Sequence, residues 1–309
     1  KRTITFGALK PGLLLEPGAS RAGEIEIADL GLNIEGSRSS LITDQDLAPV
    51  LSQRTTTDHK WTNAVRLIAA SPGMIGAAQL AASGALRAGA GMVVVSSPTI
   101  NLQSNDMPPE AVQRKITAAT LVPEVLKDLD RFAALLIGPG LGTDPETVAM
   151  TAELIERSPI PTVVDADGLT AVATHPTCVI RSASTTVLTP HDGEFEKLTG
   201  SPPALDRCAA VRSAAKNSAV LLKGPTTLVS DTNGDLIFVR NANQRLATAG
   251  TGDVLTGIIG AVIRNTPIHL AAAAAAHWHG QAAQLAQPDM TASDLPLLLQ
   301  SARSEMLTK

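Results

Sequence analysis

Six short apolar runs, each broken at once by a loop of Gly, Pro or polar residues, constrain this chain more than any other feature. Val65–Ala69, Met92–Ser96, Ala133–Ile137, Thr162–Asp165, Thr186–Leu188 and Val220–Lys223 read as buried strands. Between and after them, Ile75–Ala88, Pro145–Arg157, Ala204–Lys216, Asp253–Arg264 and His269–Gln287 read as helices. Strand-like apolar runs alternating with helices imply an α/β fold with a mainly parallel central sheet and helices on both faces. Thr226–Ser230 and Leu236–Val239, joined through DTNGD, read as a hairpin added near one edge. In open parallel sheets ligands sit beyond the carboxyl ends of the strands. Five loops fall there: SPGMIGA, GPGLG, DADG, TPHDGE and KGPTT.

The core of such a fold has to be built here from Ala, Val, Ile and Leu, because the 309 residues include no Tyr, four Phe and two Trp. Stacking of nucleobases on aromatic rings is therefore disfavoured. A net charge of −4 without Lys/Arg clusters argues against nucleic acid or an anionic membrane as the main partner. No apolar run reaches the length of a membrane span. Cys178 and Cys208 have neither CxxC nor zinc-ligand spacing and read as buried small residues of a reduced, cytoplasmic protein. Residues 1–35, with alternating stretches at Thr3–Phe6 and Glu24–Ile27, form a strand-rich arm too short to close a core. Residues 36–309 show no repeat and no linker, and read as one domain. The chain opens on Lys1 and not Met, so the arm is expected to be the remainder of a longer chain.

The stretch ATAGTGDVLTG at 247–257 carries the sharpest chemical signal. If Asp253 opens a helix, Gly250, Thr251 and Gly252 form the turn before it and aim backbone N–H groups at one spot. Small side chains admit an anion there, and Asp253 is placed to accept a proton from a hydroxyl beside it. Anion hole plus base suits phosphoryl transfer. Taken alone, the same residues also describe a tight turn with Asp253 as a helix cap. GPGLG at 138–142 invites a dinucleotide reading, but Pro139 lies in the turn and Thr143 takes the place of the third glycine. Neither a Gly-Lys dipeptide nor HExxH occurs. His277 and His279 lie two apart, on different helix faces, and read as structural. His191 sits in a loop at the ligand-binding edge. Asp165 and Asp167 end a strand there, where they orient magnesium or a loop, or cap the helix that follows. Lys223, with Thr226 and Thr227, reaches a phosphate or is simply solvated.

Taken together, HK at 59–60, GMIGAAQLAASGALRAGAGMVVV at 73–95, GPGLG, DADGL at 165–169, LTPHDGEFEKLTG at 188–200, LLKGPTTLV at 221–229 and LATAGTGDVLTGIIGA at 246–261 resemble the ADP-dependent NAD(P)H-hydrate dehydratase family, a ribokinase-like group. The similarity runs over about residues 50–300 in the family's order. TFGALKPGLLL and GEIEIADLGLN within the first 34 residues are similar to the closing strands of the NAD(P)H-hydrate epimerase domain of bifunctional members.

The resemblance implies repair of the S form of hydrated NADH or NADPH, driven by cleavage of ADP (or ATP). Asp253 would take the C6 hydroxyl proton, and Gly250, Thr251 and Gly252 would hold the transferred phosphoryl group. Ala77, Gly140, His191 and Asp253 would line the hydrate site. Lys223, Gly224, Pro225, Thr226, Thr227 and Gly252 would contact the adenine nucleotide. Mg2+ would bridge the phosphates, with its protein ligands unassigned, and the protein would be a homo-oligomer. The chain departs from the family where Trp61, Ala64 and Ala69–Ala70 replace usual glycines, and where NANQR stands at 241–245. Two rivals follow: a ribokinase-like kinase of a small alcohol or vitamin precursor, and a catalytically silent nucleotide-binding protein whose pocket Trp61 closes.

Overall fold

The structure is a computed structural model describing residues 1–51, 54–182, 184–240 and 243–308. Its strands are β1 (Arg2–Phe6), β2 (Glu24–Ala28), β3 (Ser39–Leu41), β4 (Ala64–Ile68), β5 (Met92–Ser96), β6 (Ala111–Gln113), β7 (Ala134–Ile137), β8 (Thr162–Val164), β9 (Thr186–Leu188), β10 (Ala219–Leu222), β11 (Thr227–Ser230) and β12 (Leu236–Val239). The helices are α1 (Pro11–Leu14), α2 (Ala19–Ala22), α3 (Ile75–Arg87), α4 (Leu121–Leu126), α5 (Pro145–Arg157), α6 (Asp167–Thr174), α7 (Asp192–Thr199), α8 (Arg207–Ala214), α9 (Thr251–Val262), α10 (Ile268–Leu285) and α11 (Leu295–Thr308).

Ten strands form one sheet in the order β3-β12-β11-β10-β9-β8-β7-β4-β5-β6. Pairing is parallel throughout except where β11 runs against β10 and β12. The mainly parallel sheet expected from the alternation is thus present, as is the hairpin of β11 and β12. Every residue of β4, β5, β7, β8, β9 and β10 is buried, which explains runs that are apolar without alternation. Strand order reverses at β4, which pairs with β5 on one side and β7 on the other. A crevice opens at such a switch point, between the loops that follow the two strands. The three-residue edge strands β3 and β6 carry too little pattern to be read from sequence.

Two cores flank the sheet. One joins α3, α9, α10 and α11, and the other joins α4 to α8. Without aromatic bulk, the first core is closed by backbone proximity. A Cβ on Gly257 of α9 would lie 2.1 Å from the Ala81 carbonyl oxygen of α3, and one on Gly84 of α3 would lie 2.5 Å from that of Val254. Ala271 to Ala275 of α10 are fully buried in this core, so the alanine-rich stretch serves packing within the chain. His277 meets Asp44 at 2.7 Å, and Trp278 donates to the Leu299 carbonyl at 2.7 Å, tying α10 to its surroundings. His279 is buried too, and burial pulls its pKa down to about 4, leaving the imidazole neutral. The structural reading of both histidines holds.

Several boundaries shift from expectation. Helix α9 begins at Thr251 and not Asp253, with Gly250 in the left-handed conformation (φ 89°) at the cap position. The helix expected from Ala204 starts at Arg207, where the Asp206 side chain accepts the Ala209 N–H. Within the arm, β1 and β2 pair in parallel, joined through α1 and α2. Trp61 lies at the amino end of β4, opposite the crevice. It packs edge-on to Phe132 at 5.5 Å, beneath the Arg131 guanidinium at 3.9 Å, and does not close the crevice. Of the departure at 241–245, residues 241 and 242 lie outside the described residues, and Gln244–Leu246 form a single 3-10 turn. Cys178 and Cys208 are buried, as expected, and burial raises both thiols.

The contact of α3 with α9 leaves no room for a side chain at Gly257. Gly257→Val is expected to lower the unfolding free energy by at least about 2 kcal/mol in chemical denaturation, because backbone and not a flexible side chain has to yield.

Candidate active site at the carboxyl edge of the sheet

The loops after β4 and β7 meet first. The Ala70 N–H donates to the Pro139 carbonyl at 3.0 Å, and a Cβ on Gly140 would sit 2.7 Å from the Met74 carbonyl and 3.1 Å from the Ala77 Cβ. Ala77 and Gly140 therefore face each other across the switch point. Ala70 itself holds φ 72°, a left-handed conformation that glycine adopts more readily, at one of the positions where glycine is usual.

The turn after β8 is built around a second strained alanine. Ala166 has φ 48° and ψ −122°, the first central position of a type II′ turn, and the Gly168 N–H closes the turn onto Asp165 at 2.9 Å. Backbone strain of this kind costs on the order of 1–3 kcal/mol and gathers at functional sites. Its effect is to divide two carboxylates. Asp167 turns toward the β7 loop and accepts the Gly142 N–H at 2.9 Å, whereas Asp165 turns into the protein.

Asp165 is 2% exposed. Its oxygens accept from the Lys223 ammonium at 2.9 Å and the Thr256 hydroxyl at 2.6 Å. Burial alone would raise its pKa, but Lys223 and the Thr256 hydroxyl hold it below the ordinary value. Lys223 is largely buried as well; burial works to lower its pKa, and Asp165 and Glu194 outweigh that to raise it. The ammonium lies 3.6 Å from Glu194. It is thus a fixed cation and not a solvated lysine.

The amino end of α9 faces this pair. A Cβ on Gly252 would lie 3.5 Å from the Lys223 ammonium and 3.9 Å from Asp165. Gly250 is poorly suited to a side chain, since it holds φ 89° and its Cβ would lie 2.4 Å from Leu80 and 3.2 Å from Ala292. The Thr251 hydroxyl turns away, bonding the Leu246 and Thr248 carbonyls. Among the described residues, no acceptor is recorded for the backbone N–H groups of Gly250, Gly252 and Asp253. Donors left open at a helix start, with the dipole behind them, suit an anion. Asp253 is partly buried beside them. Burial, with Asp165, Asp167 and Glu194, pushes its carboxyl up to about 7 against the pull of Lys223. A carboxyl poised there is fitted to exchange a proton near neutrality.

His191 caps α7: its Nδ1 accepts the N–H groups of Gly193 and Glu194, while the rest of the ring is exposed toward solvent. Arg207 grips Asp192 through both carboxylate oxygens and lies against Gly224, where a Cβ would come within 3.1 Å. Thr227 is a buried strand residue paired with Val239, and the Thr226 hydroxyl donates to the Leu14 carbonyl in the arm. The structure thus gathers Ala77, Gly140, Lys223 and residues 250–253 into one crevice. It directs the hydroxyls of Thr226 and Thr251 elsewhere. Sequence reasoning missed Thr256, whose only signal is its place one helical turn after Asp253, and left the role of Asp165 open.

A family model described as NAD(P)H-hydrate dehydratase matches residues 65–304. A bifunctional NAD(P)H-hydrate repair enzyme of Moorella thermoacetica is 35% identical over an alignment covering 99% of this chain and 63% of that protein. Its counterpart in Mycobacterium leprae is 36% identical, with 95% of this chain and 60% of that protein covered. The chain therefore spans less than two thirds of these relatives. Among solved structures, the ADP/ATP-dependent NAD(P)H-hydrate dehydratase of Bacillus subtilis, co-crystallized with ATP and Mg2+, superposes with a TM-score of 0.71 at 27% identity, covering 86% of this chain and 98% of that one. A ribokinase-like superfamily protein of Enterococcus faecalis shares the fold with a TM-score of 0.75 at 22% identity, covering 90% and 98%.

The raised Asp253 carboxyl sets a sign for stability. From its ordinary 3.8 up to about 7, the folded state binds a proton that the unfolded state has lost, so this group makes stability fall as pH rises through that window. Asp253→Asn is expected to be more stable than the parent by at least about 1 kcal/mol above pH 7, a gain that fades toward about pH 4 in thermal melts.

Proposed function

Because the chain belongs to the NAD(P)H-hydrate dehydratase family, we propose that it removes water from the S form of hydrated NADH or NADPH, driven by an adenine nucleotide, ADP or ATP. The observation that carries this reading is Asp253, a carboxyl raised to about 7 beside the open N–H groups of its own helix and the fixed Lys223 ammonium.

The substrate hydroxyl is a poor leaving group as hydroxide and a good one as phosphate. Asp253, deprotonated, takes the proton of the C6 hydroxyl as its oxygen attacks the terminal phosphorus of the nucleotide. The bond from that phosphorus to the bridging oxygen breaks, and ADP leaves AMP. The backbone N–H groups at 250, 252 and 253 receive the charge on the transferring phosphoryl oxygens, and Lys223 adds a positive charge behind Gly252. The C6–O bond of the phosphorylated intermediate then breaks, phosphate departs with the electron pair, and a proton is lost from the neighbouring carbon, which restores the reduced ring. Ala77 and Gly140, small and in mutual contact, leave space for the hydrated nicotinamide, with exposed His191 at the rim. Lys223, Gly224, Pro225 and Thr227 contribute the wall along which the nucleotide lies.

A magnesium ion carried in by the nucleotide fits this donor set, whereas a chain-built cage does not. Among the described residues no three His, Cys, Asp or Glu side chains converge, and Asp165 is spent on Lys223 and Thr256. Mg2+ keeps several waters and needs only one or two carboxylates beside phosphates. Asp167 and Glu194, which act on Asp253 through space, would face it. The ion supplies neutralisation of phosphate charge.

We also propose that residues 1–35 are the closing strands of an epimerase domain. Ile4, Phe6 and Ile27 of the small parallel sheet, with Leu30, Leu32 and Ile34 after it, are exposed, and a two-stranded parallel sheet ordinarily has both faces covered. Assembly into a homo-oligomer and a cytoplasmic setting belong to the same proposal. Among the described residues no helix is long and apolar enough to cross a membrane.

Mixing the protein with hydrated NADPH, Mg2+ and either ADP or ATP is expected to raise the near-ultraviolet absorbance of reduced nicotinamide, and the nucleotide that does so names the donor. A flat trace with substrate active toward another dehydratase overturns the reading in favour of a small-alcohol kinase or a silent binder. Asp253→Asn is expected to lower kcat at least ~10²-fold while nucleotide affinity changes little. In the parent, kcat/KM is expected to rise with pH and level off above about 7, as Asp253 of the free protein loses its proton. A flat pH profile from about 5 to 9 would remove Asp253 as the base.

A further inference from the structure

The loop that follows β10 is held partly from outside the domain it serves. On its own side, the Lys223 N–H donates to the Pro190 carbonyl at 2.8 Å, and Gly224 rests against Arg207. On the other side, the Thr226 hydroxyl donates to the Leu14 carbonyl at 2.5 Å, across 212 positions of sequence. Both residues are buried, Leu14 at 3% and Thr226 at 6% exposed. Leu14 ends α1 and belongs to the core beneath α4 to α8, with Leu9 and Leu15 packed against the same cluster. Lys10 ties the segment to the arm, donating to the Phe6 and Ala8 carbonyls at 2.8 and 2.6 Å.

We infer that α1 and its flanking residues Leu9–Leu15 are a positioning element for the nucleotide loop, docked beneath Thr226 so that the backbone of Gly224 and Pro225 keeps its aim, while Lys223 is held separately by Pro190 and Asp165. The identity of the ligand rests on the function proposed above; the mechanical role does not. A hydroxyl engaged with a buried carbonyl is not free for a phosphate, so Thr226 acts through the arm. Releasing the arm leaves the Leu14 carbonyl and the Thr226 hydroxyl without each other, and the loop loses one of its anchors. Chemistry at Asp253, anchored by α9 and its neighbours, is untouched. A contact made on the arm thereby bears on nucleotide affinity and not on proton transfer.

The test uses the full chain with Leu14→Ala, Thr226→Val, Thr226→Ser and the Leu14→Ala/Thr226→Val double variant, each checked for cooperative melting. Calorimetric titration with Mg-ADP is expected to show Kd raised about tenfold in Leu14→Ala and in Thr226→Val, with near-parent affinity in Thr226→Ser. The double variant is expected to be no weaker than the weaker single, because Leu14→Ala undocks the segment whose main-chain carbonyl the Thr226 hydroxyl meets, so both release the same anchor. The hydrate KM and the midpoint of the pH profile are expected to stay within about twofold and a few tenths of a unit. Hydrogen exchange of the ligand-free chain is expected to speed at the amides of residues 222–228 in Leu14→Ala. Unchanged exchange there, or an additive loss of affinity in the double variant, would overturn the inference. Should the parent bind no adenine nucleotide, the proposed function fails, and exchange at 222–228 still decides whether the arm holds the loop.

Discussion

The buried carboxylate of Asp165 is the constraint on which the catalytic edge depends. A charge this deep has to be matched, and its partners, Lys223 and Thr256, come from the end of β10 and from α9. Three segments remote in sequence are therefore fixed to one point beneath the crevice. Removing a single partner of such a group is costly, because the remaining charge stays buried without compensation. The same network sets the electrostatics above it. Asp165 repels the charged form of Asp253, and Lys223 restrains that repulsion, so the base is held between the two.

Strain and small residues complete the arrangement. Ala166, in a conformation better suited to glycine, sends Asp165 inward and Asp167 to the Gly142 N–H. Gly250 adopts a left-handed conformation and has Leu80 and Ala292 where a side chain would stand. Gly84 and Gly257 let α3 and α9 touch through backbone. With so few aromatic rings to fill space, this chain obtains a rigid core by bringing helices close, and the helix that carries Asp253 is its innermost member.

Much of the fold was legible because its signals are local. Apolar runs as long as β4 or β5 and helices as long as α3 or α10 announce themselves, and so does the ATAGTGD turn, where Gly, Thr and Asp fall at fixed offsets. What was not legible depends on distance in the chain. Nothing near DADG states that Asp165 pairs with a lysine 58 residues later, so metal binding, loop orientation and capping stood level. His191 was placed at the right edge, but its ring nitrogen serves as a helix cap, a use that depends on the backbone around it. The local pattern KGPTT offers Thr226 to a phosphate, whereas its hydroxyl meets a carbonyl from the arm. Edge strands of three residues, β3 and β6, have no period to detect.

The placement of the two tryptophans has an optical consequence. Trp61 precedes β4 at the amino end of the sheet, whereas Trp278 lies midway along α10 beside His279, whose ring is hydrogen-bonded to the backbone of Thr251. Lacking tyrosine as well, the chain emits its ultraviolet fluorescence from one ring far from Asp253 and from another coupled to the start of its helix through His279. Emission from this protein is a two-part gauge: a change on filling the crevice would be carried by Trp278, with Trp61, held between Phe132 and Arg131, as the steady reference.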